Sequence, residues 1–187
     1  LDSGSDTDDL KTTQVFRDTS AWYHIVLVAD TTNSVTSERI RIYVNGERVT
    51  DFATENYPTQ NTPTDVNTQV LHQIGAQLSA TYYSFDGYMS EIHLIDGYAY
   101  GPEYFGEFDS SDNWIPKQYS GSYGTNGFKI DGRDSSDLGD DESGNGNDYT
   151  TNGLAANDQV SDSPTNNFAT LNPIYADSSG INSVTLA

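Results

Sequence analysis

The sequence predicts an all-β protein: an antiparallel two-sheet β-sandwich followed by a loop-rich C-terminal extension. Three observations carry this. Apolar and polar residues alternate at period two over short runs, as in R-I-R-I-Y-V at 39–44. Turn dipeptides (Asn45-Gly46, Asp86-Gly87, Asp96-Gly97) punctuate those runs. The core has to come from thirteen Tyr, seven Phe, two Trp and the β-branched residues, and no apolar stripe of helical period runs for any length.

The elements follow in order. Residues 1–20 are polar, with Val15 and Phe16 the first clear apolar pair. Residues 22–30 (W-Y-H-I-V-L-V-A-D) read as a strand whose two faces are both apolar, as in a strand covered on both sides. Residues 39–45 and 47–52 read as a hairpin. Asn45-Gly46 supplies the two positive-φ positions of a type I′ turn. The stretch 53–69 holds Pro58 and Pro63 with little periodicity and reads as a long loop, a place where contacts are often carried. Short strands are expected at 70–75 and 88–95. Residues 102–106 (P-E-Y-F-G) suit a single helical turn, with Pro at its first position and Gly as its stop.

After residue 116 the composition shifts to Gly, Ser, Asn and Asp. We therefore divide the chain into a sandwich over 1–116 and an extension over 117–187, with one strand expected at 128–130. The extension has too few apolar residues for a core of its own. Phe128, Ile130, Tyr149, Leu154, Phe168, Leu171 and Ile174 are expected to anchor it on the sandwich or on a neighbouring subunit. Without such packing, backbone entropy of about 1–2 kcal/mol per residue keeps a segment unfolded.

Charge excludes several partners. With 28 acidic and 8 basic residues the formal charge is −20, so nucleic acid and anionic membranes are repelled. Cations are the natural counter-species, and a solvated acidic surface is the simplest reading of the excess. There is no Cys, hence no disulfide or thiolate site. No apolar run approaches the length of a membrane-spanning helix. The opening L-D-S-G-S-D-T-D-D-L is acidic, unlike a secretion signal, and lacks an initiator Met, so the chain is expected to begin inside a longer polypeptide.

Three blocks carry a family resemblance. The first is W-Y-H-I-V-L-V-A-D…R-I-Y-V-N-G-E-R-V (22–49). The second is Ile74-Gly75 followed by F-D-G-Y-M-S-E-I-H-L-I-D-G-Y-A-Y-G-P-E-Y-F-G-E (85–107). Both resemble the laminin-G/concanavalin-A-like jelly roll, a β-sandwich used mainly for binding. The third block spans 119–173, from Y-S-G-S-Y-G-T-N-G-F-K-I to T-N-N-F-A-T-L-N-P. Together the three look like virion proteins of tailed phages of aquatic bacteria. That resemblance implies a non-enzymatic fibre, tail or head-appendage protein, in the virion or extracellular. Its partners would be further copies of itself, other virion proteins and a host-surface glycan. The alternative is a carbohydrate-binding module of a secreted adhesin or enzyme. A complete jelly roll needs strands ahead of Val15, so the sandwich is expected to lack its first strands.

The resemblance also brings retaining glucanases into view, which need two carboxylates about 5–5.5 Å apart. The nearest stretch, S-E-I-H-L-I-D at 90–96, holds one Glu, and parity sends Asp96 to the opposite face from Glu91. No catalytic residue is assigned. The histidines (His24, His72, His93) fit no local zinc spacing. No cofactor is required. Calcium is the candidate ion, at Asp141, Ser143, Asn145 and Asn147, where D-E-S-G-N-G partly matches the start of a calcium loop. Position twelve is Asn152 rather than an acid, and the competing reading is an Asx/Gly turn. Exposed aromatics for a glycan could come from Tyr57, Tyr82, Tyr83, Tyr98, Tyr100 and Tyr104.

Overall fold

The computed structural model describes residues 9–64, 68, 74, 85–151 and 153–164. Among them every paired strand is antiparallel and there is no α-helix. The strands are β1 (Leu10–Thr12), β2 (Ile25–Ala29), β3 (Ile40–Val44), β4 (Glu47–Arg48), β5 (Phe52–Glu55), β6 (Ile92–Leu94), β7 (Gly106–Phe108), β8 (Trp114–Pro116) and β9 (Phe128–Ile130). They pair as β1–β5, β2–β3–β4, β6–β9 and β7–β8.

The β2–β3–β4 meander follows the alternation in the sequence. Leu27 pairs with Ile42 and Val28 with Arg41. Asn45 (φ 50°) and Gly46 (φ 82°) form the positive-φ turn between β3 and β4. Asn45 also closes the far end of β2: its N–H donates to the His24 carbonyl, and its side-chain oxygen accepts the His24 N–H, both at 2.8 Å.

Four expectations are corrected. The strand expected over 47–52 breaks after Arg48, because the chain leaves β3 and crosses to β1, where Thr12 pairs with Phe52. The loop expected from 53 therefore begins with β5. The strand expected over 88–95 shortens to β6, because Glu91 sits at φ 52°, a left-handed backbone that no ladder accepts. Both faces of β2 are apolar, but one is not covered: Val28 is 3% exposed while Ile25 and Leu27 are 57% and 50% exposed. Among the described residues β2 is the edge of its sheet, beside the buried Ile40 and Val44 of β3. Finally, β1 forms ahead of Val15, in what reads as polar loop. Of the strand expected at 70–75, only Ile74 falls among the described residues, and it is exposed.

The turn at 102–106 is present as a 3-10 turn over Pro102–Tyr104, and Gly106 then opens β7 instead of ending a helix. From the extension, β9 pairs with β6, with Leu94 opposite Phe128. Phe128 is buried, and Tyr149 meets it edge-on at 5.0 Å, whereas Tyr149 and Leu154 stay half exposed. Phe168, Leu171 and Ile174 lie outside the described residues.

Trp114 ties these pieces together. Its indole lies against Gly46 of the β3–β4 turn and Gly106 of β7, and a Cβ at either position would collide with the ring. Phe108 meets it edge-on at 4.9 Å, and its Nε1–H donates to His24 Nδ1 at 3.0 Å. Gly46→Val combines a strained positive φ with displacement of the indole. Urea or thermal denaturation should show a loss of at least about 2 kcal/mol. An unchanged melting temperature would mean that the turn and the indole do not meet as described.

Candidate functional site

Two apolar strands run directly into an aspartate, and the fold brings those ends together. β2 ends V-A-D at Asp30, and the strand containing β6 ends L-I-D at Asp96. Between the two ends lies an open cleft of ≈ 320 Å³, lined on one side by residues 29–32, on the other by residues 94–99, and closed by Thr64. This is the small end of the range for ligand pockets, about 300–1,000 Å³.

The Asp30 wall is fixed from behind. Asp30 N–H donates to the Arg39 carbonyl at 2.7 Å, and Asp30 Oδ1 accepts the Thr32 N–H and hydroxyl, which closes an Asx turn. Arg39, 8% exposed, gives its guanidinium to three carbonyls: Asn33 at 3.0 Å, Pro58 at 2.8 Å and Ser34 at 3.4 Å. A buried cation is costly unless so satisfied. Here it staples the 31–35 loop to the buried Pro58. The 60–61 turn adds two further bonds, Asn61 N–H to Thr31 O and Gln60 Nε2 to Thr32 O.

The Asp96 wall is fixed from the extension. Asp96 N–H donates to Tyr123 O at 2.9 Å, and Asp96 Oδ2 accepts the backbone and side-chain N–H groups of Asn126 at 3.1 and 3.0 Å. Gly124, at φ 73°, lies so close that any Cβ would strike the Asp96 carbonyl. Beyond the turn at Gly97, Tyr98 stands at the lip of the cleft, 54% exposed. Its ring stacks parallel on Tyr100 at 5.1 Å, and Tyr100 stacks on Tyr104 at 4.0 Å. Tyr100 is backed in turn by the buried Tyr119. Tyr98 is thus the exposed end of a stack of rings that reaches the buried Tyr119.

The expected aromatic donors divide accordingly. Tyr98, Tyr100 and Tyr104 come together, whereas Tyr57 donates to Glu55 Oε1 at 2.8 Å elsewhere. Tyr82 and Tyr83 lie outside the described residues, as does His72. His24 is engaged by Trp114, and His93 Nδ1 lies 2.9 Å from the Tyr123 hydroxyl, its ring stacked on Tyr123. Among the described residues no group of three His, Asp or Glu is arranged to hold a metal ion. Glu91, the other carboxylate considered for hydrolysis, is ion-paired with Arg133 at 3.1 Å. Asp30 was missed in the sequence, although an apolar strand ending in Asp is a signal it shares with Asp96.

The candidate calcium loop is a hydrogen-bonded turn around Asp141, which is 7% exposed. Oδ1 accepts the N–H groups of Lys129 and Ser143, and Oδ2 accepts the Ser143 hydroxyl and the Asn147 N–H, all within 2.8–2.9 Å. Asn145 and Asn147 turn their amide N–H groups onto the Gly127 carbonyl, each at 2.9 Å. Burial alone raises the Asp141 carboxyl, but the N–H groups of Lys129, Asn147 and Ser143 and the Ser143 hydroxyl outweigh it and hold it below its ordinary value. Both Asp141 oxygens thus accept two protein hydrogen bonds each.

With the geometry in place, comparison with known proteins decides the family. The model of the concanavalin A-like lectin/glucanases superfamily matches residues 1–102. The chain belongs to this superfamily. The match contains both walls of the cleft and Tyr98. It identifies β1 to β6 as parts of a concanavalin A-like β-sandwich. No curated protein and no solved structure matches the chain.

Two outcomes follow for this lectin/glucanase-type domain. Asp141→Asn places an amide N–H among N–H and O–H donors and should cost about 1–3 kcal/mol in denaturation experiments. Chelator should leave the native melting temperature unchanged, and a fall reversed by calcium would assign a cation to the loop instead. The second outcome concerns acid. Burial pulls both His24 and His93 below their ordinary value of 6.5, against the opposing pull of Glu91. The folded state then holds both neutral while the unfolded chain takes up protons. Their contribution is complete above pH 6.5 and is lost as pH falls below it. The melting temperature should drop between pH 7 and 5.5, and His24→Gln should flatten that drop.

Proposed function

We propose that this protein binds carbohydrate in the cleft between Asp30 and Asp96, with Tyr98 as its stacking platform, and does not hydrolyse what it binds. The observation that carries the reading is that Asp30, Asp96 and the stacked, half-exposed ring of Tyr98 line one cleft within the lectin/glucanase match. Sugars present hydroxyl donors on their rims and C–H groups on their faces. Carboxylates and threonine hydroxyls suit the first, and a rigid tyrosine ring suits the second. Because Tyr98 is already stacked, little side-chain entropy is lost on binding.

The absence of hydrolysis is supported by the carboxyl chemistry. A glycosidase needs a general acid whose pKa is raised. Of the carboxylates considered for that role, Asp96 accepts the N–H groups of Asn126 at Oδ2. Glu91 is committed to Arg133. The virion setting expected from the 119–173 block gains nothing from the family match, which ends at residue 102.

A glycan array followed by calorimetry tests the reading. The native protein should retain at least one glycan and release no reducing sugar from it. Tyr98→Ala, checked for folding by circular dichroism, should weaken binding at least about tenfold, equivalent to about 1.4 kcal/mol. Undiminished binding by that variant would move the site away from the cleft.

A further inference from the structure

We infer that the cleft selects glycans without acidic groups: it takes neutral or amine-bearing sugars and rejects uronic, sulfated and sialylated ones. The inference rests on the carbohydrate-binding reading and adds the charge class of the ligand. It comes from where the positive charges of the molecule lie. An anionic sugar needs a cation or converging N–H donors at its acid group, because desolvating a carboxylate or sulfate without a partner is costly. The cleft offers Asp30 and Asp96 on facing walls, threonines, Tyr98, and no Lys or Arg.

The chain has only eight basic residues. Arg39 lies behind the Asp30 wall, buried, with its guanidinium given to three carbonyls. Arg41 and Arg48 both face Glu38. Lys129 and Arg133 share Asp131, and Arg133 also reaches Glu91. Lys117 donates to the Glu103 carbonyl at 3.3 Å. Lys11 lies on β1 and Arg17 on the exposed stretch that follows it, and neither lines the cleft. Three backbone N–H groups of the cleft lining are also engaged. Those of Asp30 and Asp96 go to the Arg39 and Tyr123 carbonyls, and that of Thr32 goes to the Asp30 carboxylate. An incoming anion meets a cleft lined by Asp30 and Asp96 and a formal charge of −20 around it. A protonated amine on a sugar meets the opposite field.

The test compares a matched pair. An array carrying neutral, amine-bearing, uronic, sulfated and sialylated glycans identifies the tightest non-acidic ligand. Calorimetry then compares that glycan with its C6-carboxylated counterpart at low salt and at 1 M salt. The carboxylated form should bind at least tenfold more weakly at low salt. The gap should narrow at 1 M salt, where charges are screened beyond about 3 Å. Asp30→Asn/Asp96→Asn should narrow it at low salt, since asparagine keeps an oxygen for Thr32 and Asn126 but loses the charge. If that variant does not fold, the salt series on the native protein decides alone. Binding of the carboxylated form within twofold of its neutral parent overturns the selectivity and leaves carbohydrate binding standing. Retention of no glycan of any class overturns both.

Discussion

The indole of Trp114 is the constraint on which the described architecture depends. It arrives from β8 and occupies space that exists only because positions 46 and 106 carry no Cβ. One glycine belongs to the β3–β4 turn and the other to β7, so a single side chain locks two small sheets together. Its Nε1–H fixes His24 in the neutral form that accepts at Nδ1, and His24 is held at the end of β2 by Asn45. The opposite end of β2 is Asp30. Trp114 therefore anchors one end of the strand whose other end leads into Asp30, in the lining of the cleft.

Small sheets cannot supply a large core, and this protein compensates with aromatic contacts and turn chemistry. Rings of Phe105, Tyr119, Tyr123 and His93 pack around one another beneath β6 and β9, with Phe105 and Tyr119 at 5.1 Å and Tyr119 and Tyr123 edge-on at 5.1 Å. Burial and the neighbouring Tyr119 push the Tyr123 hydroxyl up to about 12, so it stays a neutral hydrogen-bonding group. The same web ends at the exposed Tyr98. The stacking of Tyr98 is thus continuous with the ring contacts that build the core.

The acidic excess has a structural use beyond solubility. Asp18, Asp30, Asp109, Asp131, Asp134, Asp137 and Asp141 each accept the backbone N–H two residues ahead. Much of the aspartate in the chain therefore sets loop geometry, where a repeated D-x-S/T pattern does the work of regular secondary structure. The stretch at 141–148 belongs to this pattern. Like a calcium loop it places oxygens at alternating positions, and in the fold the Asp141 oxygens accept hydrogen bonds from nearby N–H and O–H groups.

By itself the sequence determined what depends on neighbours along the chain. The alternation at 39–44 set β3, Asn45-Gly46 set its turn, and Pro102 set the 3-10 turn, because period and backbone φ are local properties. The Tyr98–Tyr100–Tyr104 supply was also legible, though not that these three would stack. Only the tertiary structure decided the rest. It delayed the start of the strand expected over 88–95 until after Glu91, transferred 52–55 to a different sheet, and left Ile25 and Leu27 exposed on a strand that is an edge among the described residues. It also brought Asp30 and Asp96, sixty-six positions apart in the sequence, to opposite walls of one cleft. No spacing rule encodes that meeting. It follows from which strands pair and from the long-range contacts of Arg39, Asn126 and Trp114 that hold their ends in place.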